Sequence, residues 1–198
     1  MLSLTEELTQ SIAYKGREYP IDLTFDNVLR FYQLLDDADF DEAEKIIAAF
    51  HIFFDESIPE DPEFLMNVVK LLGEYVSASP YGNDVKNSDS NQVPIRYFSF
   101  TQDAPAIYAS FMEQYGIDLI KEQGKLHWDK FKALLDGLGP DTQFRRIVTI
   151  RQRTTDGLEG EELAALMEQQ QYYRLTDGAS VDTQTQRTDA MLDALFKQ

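Results

Sequence analysis

Two stretches decide the fold: Tyr108-Ala-Ser-Phe-Met-Glu-Gln-Tyr-Gly-Ile-Asp-Leu119 and Gly124-Lys-Leu-His-Trp-Asp-Lys-Phe-Lys-Ala-Leu-Leu-Asp-Gly-Leu138. They contain the single tryptophan of the chain and a high density of aromatic side chains, which predicts the centre of a core. Helical spacing of three and four residues relates the apolar positions Tyr108, Phe111, Tyr115, Trp128, Phe131 and Leu135. Gly116 and Gly124 are predicted helix stops, because glycine readily adopts the left-handed conformation found at helix ends.

The composition indicates a folded, acidic protein. With 198 residues, 43% of them hydrophobic, the chain can bury a substantial core. Its formal net charge of -17 repels phosphate, so we expect neither nucleic acid nor an anionic membrane as a partner. The absence of cysteine excludes disulfides and thiolate sites. No apolar run approaches the ~20 residues of a membrane span, and the first residues lack a signal-peptide pattern, so we expect a soluble intracellular protein.

The first third of the chain predicts a hairpin followed by three helices. Residues 12–14 and 17–21 read as strands joined at Lys15-Gly16. Thr24, Asp41 and the pair Asp61-Pro62 are predicted to start the helices, and Glu44 completes a capping box with Asp41. The predicted buried positions are Phe25, Val28, Leu29, Tyr32, Leu35, Ala43, Ile46, Ile47, Phe50, Phe54, Leu65, Val68, Val69, Leu72 and Val76.

The remaining chain predicts further helices of decreasing apolar content. Asp103 and Thr142 are predicted caps, and Gly137, Gly139 and Pro140 end the tryptophan helix. Apolar positions of these helices include Ile107, Met112, Leu134, Leu138, Phe144, Ile147, Val148, Leu163, Leu166 and Met167. The fold class is therefore mainly α, a helical bundle with a small N-terminal β-hairpin. We predict a subdomain over 1–76, a flexible loop over 77–94, a second helical subdomain over 95–155 packed on the first, and a polar helix with a flexible tail over 156–198.

No group of residues has the pattern of a catalytic or metal site, and we expect neither an enzyme nor a cofactor. The acids at 37–41 resemble the start of a calcium loop, but Glu42 and Ala48 stand where that loop needs glycine and glutamate. Helix capping explains these acids better. His51 and His127 are interpreted as partly buried structural residues, since neither has a second ligand at helical spacing.

The segment 144–153 contains the only basic cluster of this acidic chain. It is interpreted either as a docking patch or as arginines that pair with neighbouring acidic helices, and we favour the second. Arg151 is expected to be the most buried, because it shares a helical face with Phe144 and Val148.

Three motifs resemble the bacteriophage gene-product-fifteen family of long-tailed phages and prophages. They are Tyr-Ala-Ser-Phe-x-x-x-Tyr-Gly-Ile-Asp-Leu at 108–119, Gly-Lys-Leu-x-Trp-x-Lys-Phe-x-Ala-Leu-Leu-x-Gly-Leu at 124–138, and Thr-x-Phe-x-x-Ile-x-x-Ile-Arg at 142–151. A fourth similarity covers 19–32. The resemblance spans most of residues 10–152.

The resemblance implies a tail assembly chaperone in the host cytoplasm, encoded beside the tape measure gene. Such a protein would bind the tape measure protein and recruit tail-tube subunits, with a smaller acidic protein as a further partner. A minor tail protein retained in the virion is the alternative, and a metal-dependent hydrolase is a remote one. The oligomeric state stays open.

A partner-binding segment is predicted at the end of the chain. The apolar residues Met191, Leu192, Leu195 and Phe196 share one side of a short amphipathic turn. A helix this short is marginal in water, so it is expected to order only against another surface.

Overall fold

The computed structural model describes residues 2–54, 61–78 and 97–176 and is built mainly of helices. Two strands form near the N-terminus, β1 (Ser11–Tyr14) and β2 (Arg17–Pro20). The helices of the described ranges are α1 (Phe25–Asp36), α2 (Glu42–Phe53), α3 (Pro62–Ser77), α4 (Ala104–Tyr115), α5 (Trp128–Asp136), α6 (Gln143–Gln152) and α7 (Gly160–Tyr172). The prediction of a mainly α-helical protein with an N-terminal hairpin is confirmed.

The hairpin turns where the sequence predicts. Strands β1 and β2 pair antiparallel, and Lys15 and Gly16 between them both have positive φ, 46° and 79°. Two consecutive positive φ angles are typical of the turns that match strand twist in hairpins. Lys15 Nζ donates to Asp61 Oδ2 at 2.8 Å, and the ring of Tyr14 lies 4.8 Å from that of Phe64. These contacts hold the hairpin against the start of α3.

The chain divides into two compact units that interleave along the sequence. Among the described residues, the first unit contains 2–54, 61–78 and 123–131, and the second contains 97–122 and 132–176. Helix α5 therefore begins in the first unit and ends in the second. The domains predicted from the sequence follow the chain without interruption, whereas these units do not.

In the first unit, helix α2 contacts both α1 and α3 around an aromatic core. The largest fully buried side chains of this unit are Val28, Phe31, Phe50, Phe53, Phe64, Val68, Val69, Trp128 and Phe131. The prediction that Ile47 is buried was wrong, since 54% of this residue is exposed. Ala43 is exposed as well. The buried face of α2 instead follows Ile46, Ala49, Phe50 and Phe53, a regular helical spacing that leaves Ile47 on a neighbouring face.

Two segments that are far apart in the sequence pair inside the first unit. Trp128 N–H donates to the Leu23 carbonyl at 2.8 Å, and Phe25 N–H donates to the Leu126 carbonyl at 2.9 Å. These bonds satisfy N–H groups at the starts of α5 and α1, which have no partner within their own helices. The pairing fixes the entry of both helices at one place.

Aromatic stacking continues this junction into the core. The ring of Phe131 lies 4.9 Å from Phe25 and 5.6 Å from Trp128, and both pairs are stacked. The ring of Tyr32 meets Trp128 edge-on at 5.9 Å, and burial raises the pKa of the Tyr32 hydroxyl. Such offset and edge-to-face arrangements are favoured by the quadrupoles of the rings. Trp128 is thus part of the first unit's core, as its spacing predicts.

Gly124 lies in the turn that precedes α5. Its φ of 67° lies in the left-handed region, and its N–H donates to Asp26 Oδ1 at 2.9 Å. A side chain would be strained at this angle. Gly124 therefore has the predicted left-handed conformation, although it lies in the turn between α4 and α5 and not at the end of either helix.

In the second unit, helix α6 contacts both α4 and α7. The buried apolar residues of this unit include Ala106, Ile107, Phe111, Leu119, Leu135, Leu138, Phe144, Ile147, Val148 and Leu166. The hydroxyl of Ser110 accepts from Phe144 N–H at 3.0 Å and donates to the Ala106 carbonyl at 2.7 Å, joining α4 to α6. Met112 and Met167 are 41% and 57% exposed, so the prediction that they belong to the buried faces was wrong.

Helix α4 ends at Gly116, as predicted. This residue has a φ of 66°, and its N–H donates to the Met112 carbonyl at 3.1 Å. Tyr108 and Tyr115 are only half-buried along this helix. The hydroxyl of Tyr115 donates to the Leu134 carbonyl at 2.9 Å, and partial burial raises the pKa of this hydroxyl.

Only some of the predicted cap residues make a capping hydrogen bond through their side chains. Asp41 and Glu44 form the predicted capping box, with reciprocal bonds of 2.8 and 2.9 Å. Thr24, Thr142 and Asp103 occupy cap positions, but none of their side chains makes a capping bond. The Asp103 carboxylate is engaged elsewhere, as described below.

Candidate functional site

Helix α6 presents two different faces within the second unit. One face is turned into the core and carries Phe144, Val148 and Arg151 at a spacing of three and four residues. The other runs along Gln143, Arg146, Ile147 and Ile150 and lines a groove. The first face fixes the helix, and the second forms the floor of the candidate site.

A buried ion pair fixes the inner face of α6. The guanidinium of Arg151 binds the Asp103 carboxylate through two parallel bonds, Nη1 to Oδ2 at 2.6 Å and Nη2 to Oδ1 at 2.8 Å. The two side chains are 6% and 4% exposed. Nη1 also donates to the Tyr97 carbonyl at 2.9 Å, and Nε donates to the Tyr173 carbonyl at 2.6 Å. These extra acceptors offset the cost of burying two charges.

Side-chain amides hold the end of α7 beside α6. Gln170 Nε2 donates to the carbonyls of Ile150 and Arg153 at 2.9 and 2.8 Å. Both carbonyls belong to the C-terminal end of α6, where such groups have no partner in the helix. Gln102 Nε2 donates to the Arg174 carbonyl at 2.8 Å and fixes the residues after α7. Helix α7 is therefore attached by its polar residues, which compensates for its thin apolar face.

This attachment forms a groove of about 720 Å³ along α6. Its lining residues come from α4, α6, α7 and the residue that follows α7: Glu113, Gln143, Arg146, Ile147, Ile150, Glu168, Gln169, Tyr172 and Tyr173. The rings of Tyr172 and Tyr173 are perpendicular, with centroids 4.8 Å apart. Tyr172 is 80% exposed, which is unusual for so large a ring. The groove thus combines an isoleucine floor with an exposed aromatic wall.

The charged groups of the groove differ in whether they have hydrogen-bond partners. Arg146 donates through Nε to the Asp141 carbonyl at 2.7 Å. In the described parts of the chain, neither Glu113 nor Glu168 has an ion-pair or hydrogen-bond partner. The groove therefore displays two solvated carboxylates beside its apolar floor.

The basic cluster at 144–153 does not form one continuous patch. Arg151 is buried against Asp103, and Arg153 Nη2 pairs with Glu162 Oε1 at 2.7 Å. The interpretation that these arginines pair with acidic residues is confirmed at both positions, and so is the expected burial of Arg151. Arg145 and Arg146 have no acidic partner among the described residues, and Arg146 lines the groove.

The two histidines have different environments. His127 Nδ1 accepts from Asp129 N–H at 3.2 Å, and its Nε2 lies 3.2 Å from the Thr9 carbonyl, so its predicted structural role is confirmed. His51 is exposed, contrary to the prediction. The acids near α2 have the capping role expected of them, since Asp41 caps that helix. Within the described ranges, no three histidine or acidic residues are grouped as a metal site would require.

The predicted docking turn of Met191, Leu192, Leu195 and Phe196 lies outside the described residues. The groove itself was missed from the sequence. Its signal is a second stripe of α6, in which Ile147 and Ile150 lie next to the face of Phe144 and Val148, together with the adjacent tyrosines at the end of α7. This signal becomes specific only when α7 is known to lie beside α6.

The chain matches a known family over most of its length. A family model described as Bacteriophage Gp15 protein matches residues 4–175. No curated protein and no solved structure gives a significant match. In the described part of the chain, no helix combines the length and apolar character needed to cross a bilayer.

Proposed function

Because the chain belongs to the Bacteriophage Gp15 protein family, we propose that this phage protein acts in tail morphogenesis as a tail assembly chaperone. It binds the tape measure protein in the host cytoplasm and recruits tail-tube subunits around it. A smaller acidic phage protein is a further candidate partner. The family match over residues 4–175 is the observation that carries this proposal.

The charge of the chain supports this role. A net charge of -17 keeps a protein soluble while its partner tends to aggregate. It also favours partners that are basic or neutral over other acidic proteins.

The surface of the second unit supports the role as well. Its groove offers apolar and aromatic contacts from Ile147, Ile150, Tyr172 and Tyr173. Tyr172 is the most exposed of its large apolar side chains at 80%, and tyrosine is often a dominant contact in interfaces. A chaperone must release its partner, so a small site is more suitable than an extensive one.

Co-purification tests the proposal directly. The full chain is co-expressed with the tape measure protein of the same phage, and we expect the two to elute as one complex that stays soluble. Expression of the tape measure protein alone is the control, and we expect it to aggregate. Failure of the chain to bind or solubilise the tape measure protein would contradict the proposal.

The composition of finished particles separates the chaperone from a minor tail protein. Mass spectrometry of purified virions is expected to find the tape measure and tail-tube proteins but not this chain. Detection of the chain in a fixed ratio to the tape measure protein would favour the structural role instead.

A truncated chain tests the predicted docking turn at the C-terminus. Residues 177–198 are removed while Thr176 is retained, because Thr176 N–H donates to Gln102 Oε1 at 2.9 Å. Reduced recovery of the tape measure protein is expected if Met191, Leu192, Leu195 and Phe196 contact it. Unchanged recovery would reject that hypothesis and leave the chaperone role itself intact.

A further inference from the structure

We propose that the groove along α6 binds a cationic amphipathic helix, in which lysine or arginine residues flank a short apolar stripe. This inference rests on the proposed function, since it specifies which kind of partner segment the chaperone holds. The chemistry of the groove, rather than the family, indicates this occupant.

The shape of the groove suits one face of a helix. Helix α6 contacts both α4 and α7, and its residues Ile147 and Ile150 line the groove together with residues of those two helices. Tyr172 and Tyr173 extend the apolar surface at the end of α7. A volume of about 720 Å³ holds a few side chains rather than a folded domain. Helices bind such grooves through apolar residues on one face.

The charges of the groove select a basic occupant. Glu113 comes from α4 and Glu168 from α7, so the two carboxylates flank the floor supplied by α6. Neither has a partner among the described residues, and both therefore remain available for a lysine or arginine of the ligand. An acidic helix would bring like charges against both. Arg146 favours the carboxyl end of the bound helix, where the helix dipole is negative.

The apolar part of the site is tested with a synthetic peptide. The probe carries leucines on one face and flanking lysines, and it is longer than about 15 residues so that it forms a helix in water. We expect Tyr172→Ala to weaken its binding to the full chain at least about tenfold, as for a dominant interface contact. Tyr172 is 80% exposed, so its removal should leave the fold intact, which circular dichroism checks.

Met167→Ala is the matched control for this variant. Met167 is also an exposed apolar residue of α7, at 57%, but it does not line the groove. Its replacement should leave peptide binding unchanged. Equal weakening by both replacements, or no weakening by Tyr172→Ala, would overturn the proposal.

The electrostatic part is tested by reversing the two carboxylates. We expect the double variant Glu113→Lys with Glu168→Lys to bind the lysine-flanked peptide at least about tenfold more weakly. It should also gain affinity for the same peptide with glutamate flanks. The control is Asp136→Lys with Asp156→Lys, which changes the net charge equally at exposed positions outside the groove. If the control pair has the same effect, net charge alone governs binding and the proposal is overturned.

Other results distinguish this inference from the proposed function. Tape measure fragments that bind the wild type and Tyr172→Ala equally would overturn the groove assignment but leave the chaperone role standing. Groove-dependent binding of the synthetic peptide without any binding of tape measure fragments would support the groove and reject the chaperone role. Self-association that Tyr172→Ala abolishes, measured by analytical ultracentrifugation, would make a second copy the occupant and overturn the proposal.

Discussion

The two units of this protein join their sequence-distant segments with different chemistry. In the first unit, Trp128 and Phe131 lie in an aromatic core with Phe25 and Tyr32, and the backbone of residues 126–128 pairs with that of residues 23–25. In the second, the buried guanidinium of Arg151 gathers one carboxylate and two backbone carbonyls from three segments. The first junction is stabilised by burial of apolar surface. The second is stabilised by pairing a buried charge with a carboxylate and with hydrogen-bond acceptors.

The two junctions should therefore lose stability in different ways when their residues are substituted. An apolar core loses stability in proportion to the atoms and cavity volume removed. A buried ion pair responds more abruptly, because removing one partner leaves an uncompensated charge and unpaired acceptors. The groove belongs to the second unit, which contains the ion pair. Its aromatic wall includes Tyr173, whose carbonyl accepts from Arg151, so loss of the ion pair should also disturb the groove.

The largest effect is expected for Arg151→Ala. It leaves the Asp103 carboxylate buried without its partner and removes the donor to the Tyr173 carbonyl. We expect the free energy of unfolding to fall by about 5 kcal/mol, the upper end for a broken buried pair. Urea denaturation measures the loss, and hydrogen exchange should locate it in residues 97–122 and 132–176. Arg151→Lys keeps the charge but lacks the planar fork, so it should restore only part of the loss.

The next effect is expected for Trp128→Ala in the first unit. The residue is 2% exposed, so its truncation should cost about 3–5 kcal/mol through the cavity it leaves. Circular dichroism must follow unfolding, because the variant loses the only tryptophan of the chain. Trp128→Phe retains a ring against Phe131 and should cost less. A loss below about 1 kcal/mol for alanine would show that this core does not hold the first unit together.

Smaller effects should separate two helix caps of the first unit. Asp41→Ala removes the capping box of α2 and should cost about 1 kcal/mol. Thr24→Val should change stability by less than about 0.5 kcal/mol, because the buried Thr24 Oγ1 has no hydrogen-bond partner in the described structure. Thermal unfolding of both variants compares them. A larger loss at Thr24 than at Asp41 would reverse the assignment.

The smallest effect concerns acid sensitivity in the second unit. The hydrogen bond from Lys121 holds the pKa of Asp118 below its ordinary value, helped by backbone N–H groups of 120 and 121. Since the folded-state pKa is depressed, the stabilisation is present above the unfolded value of about 4 and is lost as pH falls through the lower folded value. Asp118→Asn should therefore flatten the decline of stability below about pH 4. An unchanged acid profile would contradict this assignment.

Much of the fold is predictable because helices are encoded locally. The hairpin turn, the left-handed conformations of Gly116 and Gly124 and the capping box of Asp41 each depend on a few adjacent residues. Errors arise where two adjacent apolar residues compete for one face. Ile46 is buried and Ile47 is exposed, a choice that depends on where α1 and α3 lie.

The candidate site was less predictable. The burial of Arg151 follows from its helical register, but its partner Asp103 looks like an ordinary cap until both segments are placed together. The groove depends on how three helices and their polar attachments are placed beside one another, and this placement leaves no local pattern.

By itself, the sequence determined the mainly α-helical class, most helix ends and most positions of the apolar faces, because periodicity and glycine or cap residues act over a few positions. It also carried the motifs of the family. Only the tertiary structure decided that 123–131 joins the first unit, that Asp103 neutralises Arg151, and that Glu113 and Glu168 flank one groove. These features depend on packing between segments that are distant in the chain, and such packing is set by the fit of whole surfaces.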